Sequence, residues 1–170
     1  AAIEHEWRRQ IEHARSFGLT LSHLDGHKHV HLLPPLVQLA CRLAREYDIP
    51  FVRASLESPS LAVLGRLPGW LVISSLALHA KRVIAEHGLT TADHFVGFTT
   101  SGGMTEEKLL SAIASASAGT TEIMVHPAEE SVELAPLSER YPWATTYRFA
   151  AELSALCSPA VAAAIEKLAD

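Results

Sequence analysis

Cysteine is scarce in this sequence of 170 residues, and only Cys41 and Cys157 occur. The two lie far apart, each within an apolar pattern of helical period, so we expect no disulfide framework and two buried thiols. Unpaired thiols are typical of proteins in a reducing compartment. We therefore expect a cytoplasmic protein. A hydrophobic content of 48% is sufficient for a core, and it excludes a disordered chain.

Positive charge is also in short supply. Lys and Arg number 14 against 19 Asp and Glu, which gives a formal net charge of −5, and the basic residues are scattered along the chain. The sequence therefore predicts no nucleic acid partner. We see no signal peptide and no apolar run of membrane-spanning length, so we expect no transmembrane segment. The length predicts a single domain covering residues 1–170.

Segments of helical period alternate with short apolar segments. Helices are predicted at residues 2–16, from Pro35 to Tyr47, over much of 60–87 with a break at Pro68-Gly69, at 105–116, and twice in the tail, where Ser158 caps the second. Strands are predicted at 19–27, 49–53, 94–98 and 122–126. Strands separated by helices pair in parallel through right-handed crossovers. The pattern predicts an α/β fold, either a doubly wound sheet or a barrel.

The densest group of candidate metal ligands occupies ten residues, Ser22-His23-Leu24-Asp25-Gly26-His27-Lys28-His29-Val30-His31. An extended strand directs alternate side chains to one face, so Asp25 and His27 should emerge together at the end of the first strand. A carboxylate beside an imidazole suits Zn²⁺, Mn²⁺, Ni²⁺ or Mg²⁺. The alternative is a core role for His23 and a solvated loop for His29 and His31.

Functional groups of α/β proteins collect at the carboxyl ends of the strands. Asp25 and His27 end the first predicted strand, Arg53 ends the second, a loop containing Gly102-Gly103 follows the third, and His126 ends the fourth. We expect these strand ends to converge on one edge. A carboxylate, imidazoles and a cation together form the composition of a hydrolytic site.

The chain resembles the C-terminal part of the YdjC/ChbG-like carbohydrate deacetylases. Residues 22–31 are similar to the family's T-H-x-D-x-H-x-H-x-H, and Glu122-Ile123-Met124-Val125-His126-Pro127 is similar to its E-x-M-x-H-P. The segments Asp93–Phe98 and Ser101–Glu106 look most like the hopanoid-biosynthesis-associated branch called HpnK.

The resemblance implies an irregular (βα) TIM-like barrel, of which this chain is the C-terminal part. It also implies a divalent metal ion, Mg²⁺ or Zn²⁺, and hydrolysis of the N-acetyl group of an amino sugar, either a chito-oligosaccharide or an N-acetylglucosaminyl hopanoid headgroup. The metal lowers the pKa of a bound water and polarises the acetamide carbonyl. In the family the metal ligands are an Asp of an Asp-Asp-Phe-Gly motif, a His of a Gly-x-His motif, and the position matched by His27.

This sequence contains no Asp-Asp pair and no Gly-x-His. Two of the three ligands and the usual general base are therefore missing, and we expect this chain alone to be inactive and to bind metal weakly or not at all. The resemblance assigns His126 as the general acid that protonates the leaving amine. Asp25 is expected to orient a histidine by a hydrogen bond.

His29, His31 and Arg53 are the remaining candidates. The two histidines are expected either to support the site or to face substrate, with a surface loop as the alternative. Arg53 is a candidate for substrate binding, or a partner for a carboxylate at the same edge.

A second class of function remains open, namely a non-catalytic metal- or ligand-binding module that retains only the histidine cluster. Half a barrel would also expose strand edges and apolar helix faces, so we expect pairing with another copy or with the missing half.

Overall fold

The structure is a computed structural model that describes residues 2–129, 131, 136 and 139–168, without the side chains of residues 61 and 62. Helices and strands alternate along the chain. The helices are α1 (Ala2–Ser16), α2 (Pro34–Glu46), α3 (Leu67–Glu86), α4 (Glu106–Ala114), α5 (Phe149–Leu156) and α6 (Pro159–Glu166). The strands are β1 (His23–Leu24), β2 (Phe51–Val52), β3 (His94–Val96) and β4 (Thr121–Ile123), and short 3₁₀ helices cover His27–Leu32, Leu61–Arg66 and Pro142–Thr146.

The contacts divide the chain into two compact units. Unit 1 comprises residues 1–56 and 68–92, and unit 2 comprises residues 57–67 and 93–170. Each unit has its own parallel pair of strands and its own apolar cluster. The single domain expected from the length stays a prediction.

In unit 1, β1 pairs in parallel with β2, with His23 opposite Phe51 and Leu24 opposite Val52. Helix α2 makes the crossover between them. It begins at Pro34, where a proline loses no helical hydrogen bond because the first N–H groups have no partner inside the helix. Its apolar stripe forms the centre of the unit 1 core, and Leu43 is fully buried. Burial of one leucine side chain stabilises the fold by about 1.5–3 kcal/mol.

In unit 2, β3 pairs in parallel with β4, and Phe95 lies opposite Glu122. Helix α4 connects the two strands and packs against α5 and α6. Helix α6 begins where predicted, because the Ser158 hydroxyl accepts a hydrogen bond from the backbone N–H of Ala160 at 3.1 Å. Parallel strands alternating with helices are thus confirmed in both units.

The first strand is shorter than predicted. Instead of running from residue 19 to 27, it ends at Leu24, and a 3₁₀ helix starts at His27. The chain turns because the N–H of His29 donates to the carbonyl of Gly26 at 2.9 Å, while Lys28 and His29 adopt left-handed backbone angles with φ of 51° and 59°. Side chains beyond Gly26 therefore do not alternate across a strand.

Three smaller expectations also change. Helix α3 runs through Pro68 and Gly69 without a break, because both fall in its first turn. Strand β4 ends at Ile123, so His126 lies three residues beyond the strand. Of the two cysteines, Cys41 is buried as expected, but Cys157 is exposed because it directly follows the last turn of α5.

A helical stretch over Val63–Glu86 is long and apolar enough, by length and composition, to cross a membrane. The bent pair α5 and α6 would make a second such segment if it were counted as one span. One or two helices of this kind are weak evidence for a membrane span, since the buried core helix of a protein outside the membrane has the same length and composition.

Candidate functional site

The turn at Gly26 arranges the histidine-rich segment of unit 1. A Cβ atom at position 26 would lie 3.0 Å from Nδ1 and 3.2 Å from the backbone N of His31, so the close approach of His31 favours glycine there. After this turn, His27 is exposed and His29 and His31 are buried. His23, before the turn, is also exposed, so the segment directs two imidazoles outward and two inward, and the core role considered for His23 is wrong.

Asp25 and Arg53 form an ion pair at the ends of β1 and β2. The N–H of Arg53 donates to the carbonyl of Leu24 at 3.0 Å, which extends the parallel ladder by one residue and places the guanidinium beside the carboxylate. The Arg53 side chain is 15% exposed and that of Asp25 is 37% exposed. Arg53 is thus a partner of a carboxylate at this edge, and its role in substrate binding stays a prediction. Orientation of a histidine by Asp25 stays a prediction.

His29 and His31 are held from inside by the chain that follows β2. The Nδ1 of His29 lies 2.7 Å from the hydroxyl of Ser55, which is 1% exposed. The Nε2 of His31 donates to the carbonyl of Arg53 at 2.9 Å. Burial lowers the pKa of His31, which favours the neutral ring. A solvated loop for these two histidines is therefore wrong, and both rings support the turn that presents His27.

His27 and Asp25 both line a cleft of about 370 Å³ whose walls are apolar side chains of α1 and α2, including Trp7, Ile11 and Leu43. Among residues 2–129, 131, 136 and 139–168, no three His, Cys, Asp or Glu side chains are grouped so that they could hold a metal ion. Asp25 pairs with Arg53, and the buried histidines bond to Ser55 and to a backbone carbonyl. The donor set of the described residues therefore fits no complete coordination shell, and His27 is the candidate for a single ligand.

The second candidate group lies in unit 2 around His126. The backbone N–H of His126 donates to the carboxylate of Glu152, and its ring Nδ1 lies 4.0 Å from Oε2 of the same residue. The ring also contacts Tyr147 edge to face, with 5.0 Å between centroids. The Nδ1 atom of His126 is buried, although 32% of the side chain is exposed. Other atoms of the side chain therefore reach the solvent.

The glycine loop after β3 packs against the same tyrosine. Gly102 has a φ of 77°, and a side chain there would collide with the Tyr147 ring. The carbonyl of Gly102 accepts a hydrogen bond from the N–H of Arg148 at 2.8 Å, and the hydroxyls of Ser101 and Tyr147 lie 2.8 Å apart. The glycine is therefore required by contacts within unit 2.

Sequence reasoning missed two residues of these groups, Ser55 and Glu152. Ser55 follows the end of β2 by three residues, where functional side chains of α/β folds collect. Glu152 is the one charged residue of α5, whose sequence is FAAELSAL, and a single acid in an apolar helix indicates a buried carboxylate with dedicated partners. The predicted convergence of the strand ends of both units on one edge stays a prediction.

Comparison with known proteins identifies the family. The family described as YdjC-like protein matches residues 1–167, and the chain belongs to it. A carbohydrate deacetylase of Thermoanaerobacter pseudethanolicus is 30% identical over 136 residues, which cover 80% of this chain and 45% of the relative. A carbohydrate deacetylase of Mus musculus is 30% identical over 149 residues, which cover 76% of this chain and 46% of that relative. The chain thus spans less than half the length of these relatives.

A solved structure shares the fold. It is a candidate cellobiose-phosphate cleavage protein from Enterococcus faecalis V583, with a TM-score of 0.60 and 22% sequence identity, and the match covers 97% of this chain and 56% of that one. At this identity the likeness concerns the fold, an α/β arrangement of helices and parallel strands.

Proposed function

We propose that this chain is the C-terminal part of a carbohydrate deacetylase that hydrolyses the N-acetyl group of an amino sugar. The observation that carries the proposal is the family match over residues 1–167, which includes both histidine motifs. Relatives named carbohydrate deacetylase, at 30% identity over most of the chain, support the same activity. We further propose that the complete protein is a cytoplasmic (βα) barrel whose remaining strands lie outside this chain.

His126 is proposed as the general acid. Hydrolysis of an amide expels an amine, which is a poor leaving group unless a proton reaches its nitrogen as the bond breaks. The buried Nδ1 of His126 faces a carboxylate, while other atoms of the side chain reach solvent. This arrangement leaves Nε2 to hold and deliver the proton.

A divalent cation, Mg²⁺ or Zn²⁺, is proposed as the cofactor of the complete protein, with His27 as the ligand supplied by this chain. We propose that the other ligands come from residues outside it, because among the described residues Asp25 pairs with Arg53, His29 with Ser55, and His31 with a backbone carbonyl. The chain alone is therefore proposed to be inactive. Arg53, held by Asp25 and only 15% exposed, is proposed to position the end of β2, with His29 and His31 supporting the same edge.

The proposed substrates are a chito-oligosaccharide and an N-acetylglucosaminyl hopanoid headgroup. Both present the same acetamide, so they differ in what surrounds the sugar. Assays of acetate release from N-acetylated chito-oligosaccharides and from a glycolipid of this headgroup type distinguish the two. Absence of acetate release from both, by a complete protein that binds metal, would favour the non-catalytic binding module.

The decisive experiment replaces His126 by Asn in the complete protein. We expect metal and substrate binding to persist while turnover falls by about a hundredfold or more, the usual scale for an acid–base group. An amide with an activated leaving group should be affected much less, because it departs without a proton. The matched control is His79→Asn on the exposed face of α3, which should leave turnover unchanged. An equal loss on activated and natural amides would contradict the general-acid role.

A further inference from the structure

We infer that Glu152 is a positioning residue, which holds His126 through both its backbone and its ring and so fixes the orientation of the imidazole. The inference rests on the proposed function where it concerns catalysis, since it gives the proposed acid a partner. The contacts of Glu152 themselves do not depend on that function.

Glu152 is unusually placed for a charged residue. Its side chain is 1% exposed and projects from α5, which is otherwise apolar or small in character. Removing a carboxylate from water is unfavourable unless hydrogen bonds compensate. Here Oε1 accepts from the backbone N–H of Met104 at 3.0 Å, and Oε2 accepts from the backbone N–H of His126. The carboxylate thus joins the segments that follow β3 and β4.

The same carboxylate acts on the His126 ring. Oε2 lies 4.0 Å from Nδ1, a distance at which a negative charge favours a proton on the near nitrogen and stabilises the protonated ring. Tyr147 contacts the ring edge to face and limits its rotation. Among the described residues, Glu152 of α5 and Tyr147 of the segment preceding it are titratable side chains in contact with His126. The proton of the neutral ring is therefore assigned to Nδ1, the buried nitrogen that lies nearer to Glu152.

Unit 2 offers a matched control for these contacts. Glu57 is also a buried carboxylate, 7% exposed, that accepts two backbone N–H bonds, from Gly97 at 2.8 Å and Thr99 at 2.9 Å. Glu57→Gln therefore removes a buried carboxylate that holds the backbone amides of Gly97 and Thr99, whereas the amide of His126 bonds to Glu152. A positioning role predicts that only Glu152→Gln changes the imidazole.

The test is a ¹⁵N NMR titration of His126 in the complete protein and in both variants. In the unaltered protein we expect the Nδ1–H tautomer of neutral His126. In Glu152→Gln the titration midpoint of His126 should fall by about one pH unit, because the stabilising negative charge is gone. In Glu57→Gln it should stay unchanged. The alkaline limb of the turnover profile, where a general acid loses its proton, should move with the NMR midpoint in Glu152→Gln alone.

Several results would overturn the inference. One is the Nε2–H tautomer in the unaltered protein, a measurement that needs no variant and so survives a failure of Glu152→Gln to fold. Another is an equal shift, or no shift, in the two folded variants. If the tautomer and the shift are as expected but His126→Asn retains full turnover, the general-acid role fails while the positioning of His126 by Glu152 is supported.

Discussion

Replacement of Gly97 by Ala should disrupt the sheet of unit 2. Gly97 directly follows β3 and has a φ of 130°, a backbone conformation that residues with a side chain rarely adopt. An added Cβ would lie 2.7 Å from the carbonyl oxygen and 2.9 Å from the Cβ of Met124 on the neighbouring segment. Because the carbonyl is backbone, relief requires the two chain segments to separate.

The magnitude follows from two contributions. The unfavourable backbone conformation costs about 1–3 kcal/mol. Separation also weakens the bond from the Gly97 N–H to the Glu57 carboxylate, at 2.8 Å, and a hydrogen bond to a charged group contributes about 1.5–3 kcal/mol. We expect a loss of about 3–5 kcal/mol in the free energy of unfolding, a large share of the ~5–15 kcal/mol typical of a domain.

Urea unfolding followed by circular dichroism measures this loss as a shift of the midpoint at constant slope. The matched control is Gly65→Ala, also in unit 2, where no heavy atom lies within 4 Å of the new Cβ. That variant should stay within about 0.5 kcal/mol of the unaltered protein. A Gly97→Ala protein as stable as Gly65→Ala would refute the reasoning, and would mean that the segment relaxes into an ordinary strand conformation.

Three further predictions concern single side chains. His27→Ala should abolish metal uptake by the complete protein, measured by elemental analysis, and unchanged metal content in the variant would contradict the ligand role. Calorimetry should show weak or no binding of Zn²⁺ or Mg²⁺ by this chain alone. Burial lowers the pKa of His31 in the folded state, so the unfolded state binds the proton more readily and stability should decline as the pH falls below about 6.5. His31→Gln, which can still donate to the Arg53 carbonyl, should reduce this dependence in urea titrations at several pH values, and an unaltered dependence would show that another group is responsible. Ser158→Ala should cost about 0.5–2 kcal/mol by removing the cap of α6, and thermal unfolding indistinguishable from the unaltered protein would indicate that the cap is dispensable.

Helices could be predicted from the sequence more closely than strands. The apolar stripe of the first helix predicts residues 2–16, and the structure has Ala2–Ser16. The pattern predicts the first two strands at 19–27 and 49–53, but they cover His23–Leu24 and Phe51–Val52. A helix bonds within its own segment, so local periodicity reveals it, whereas a strand extends only as far as its partner does. The partner is distant in sequence and unknown from local pattern.

The inward direction of His29 and His31 could not be predicted for a related reason. It depends on left-handed backbone angles at Lys28 and His29, and neither residue type requires such angles. The partners of the turn, Ser55 and the carbonyl of Arg53, come from more than twenty residues along the chain. Residue types therefore predict a metal-ligand chemistry for the segment, while the fold decides which imidazoles remain exposed.

The two buried carboxylates of unit 2 have a consequence for how the chain tolerates genetic change. Bonds between backbone groups survive almost any substitution, because every residue except proline carries the same N–H and C=O. Beyond the short strands β3 and β4, four amides instead depend on Glu57 and Glu152, at Gly97, Thr99, Met104 and His126. The geometry of these segments is thus encoded by two codons far from the segments themselves. A single nucleotide change in either codon can therefore remove hydrogen bonds that backbone partners in a longer strand ladder would have kept under most substitutions.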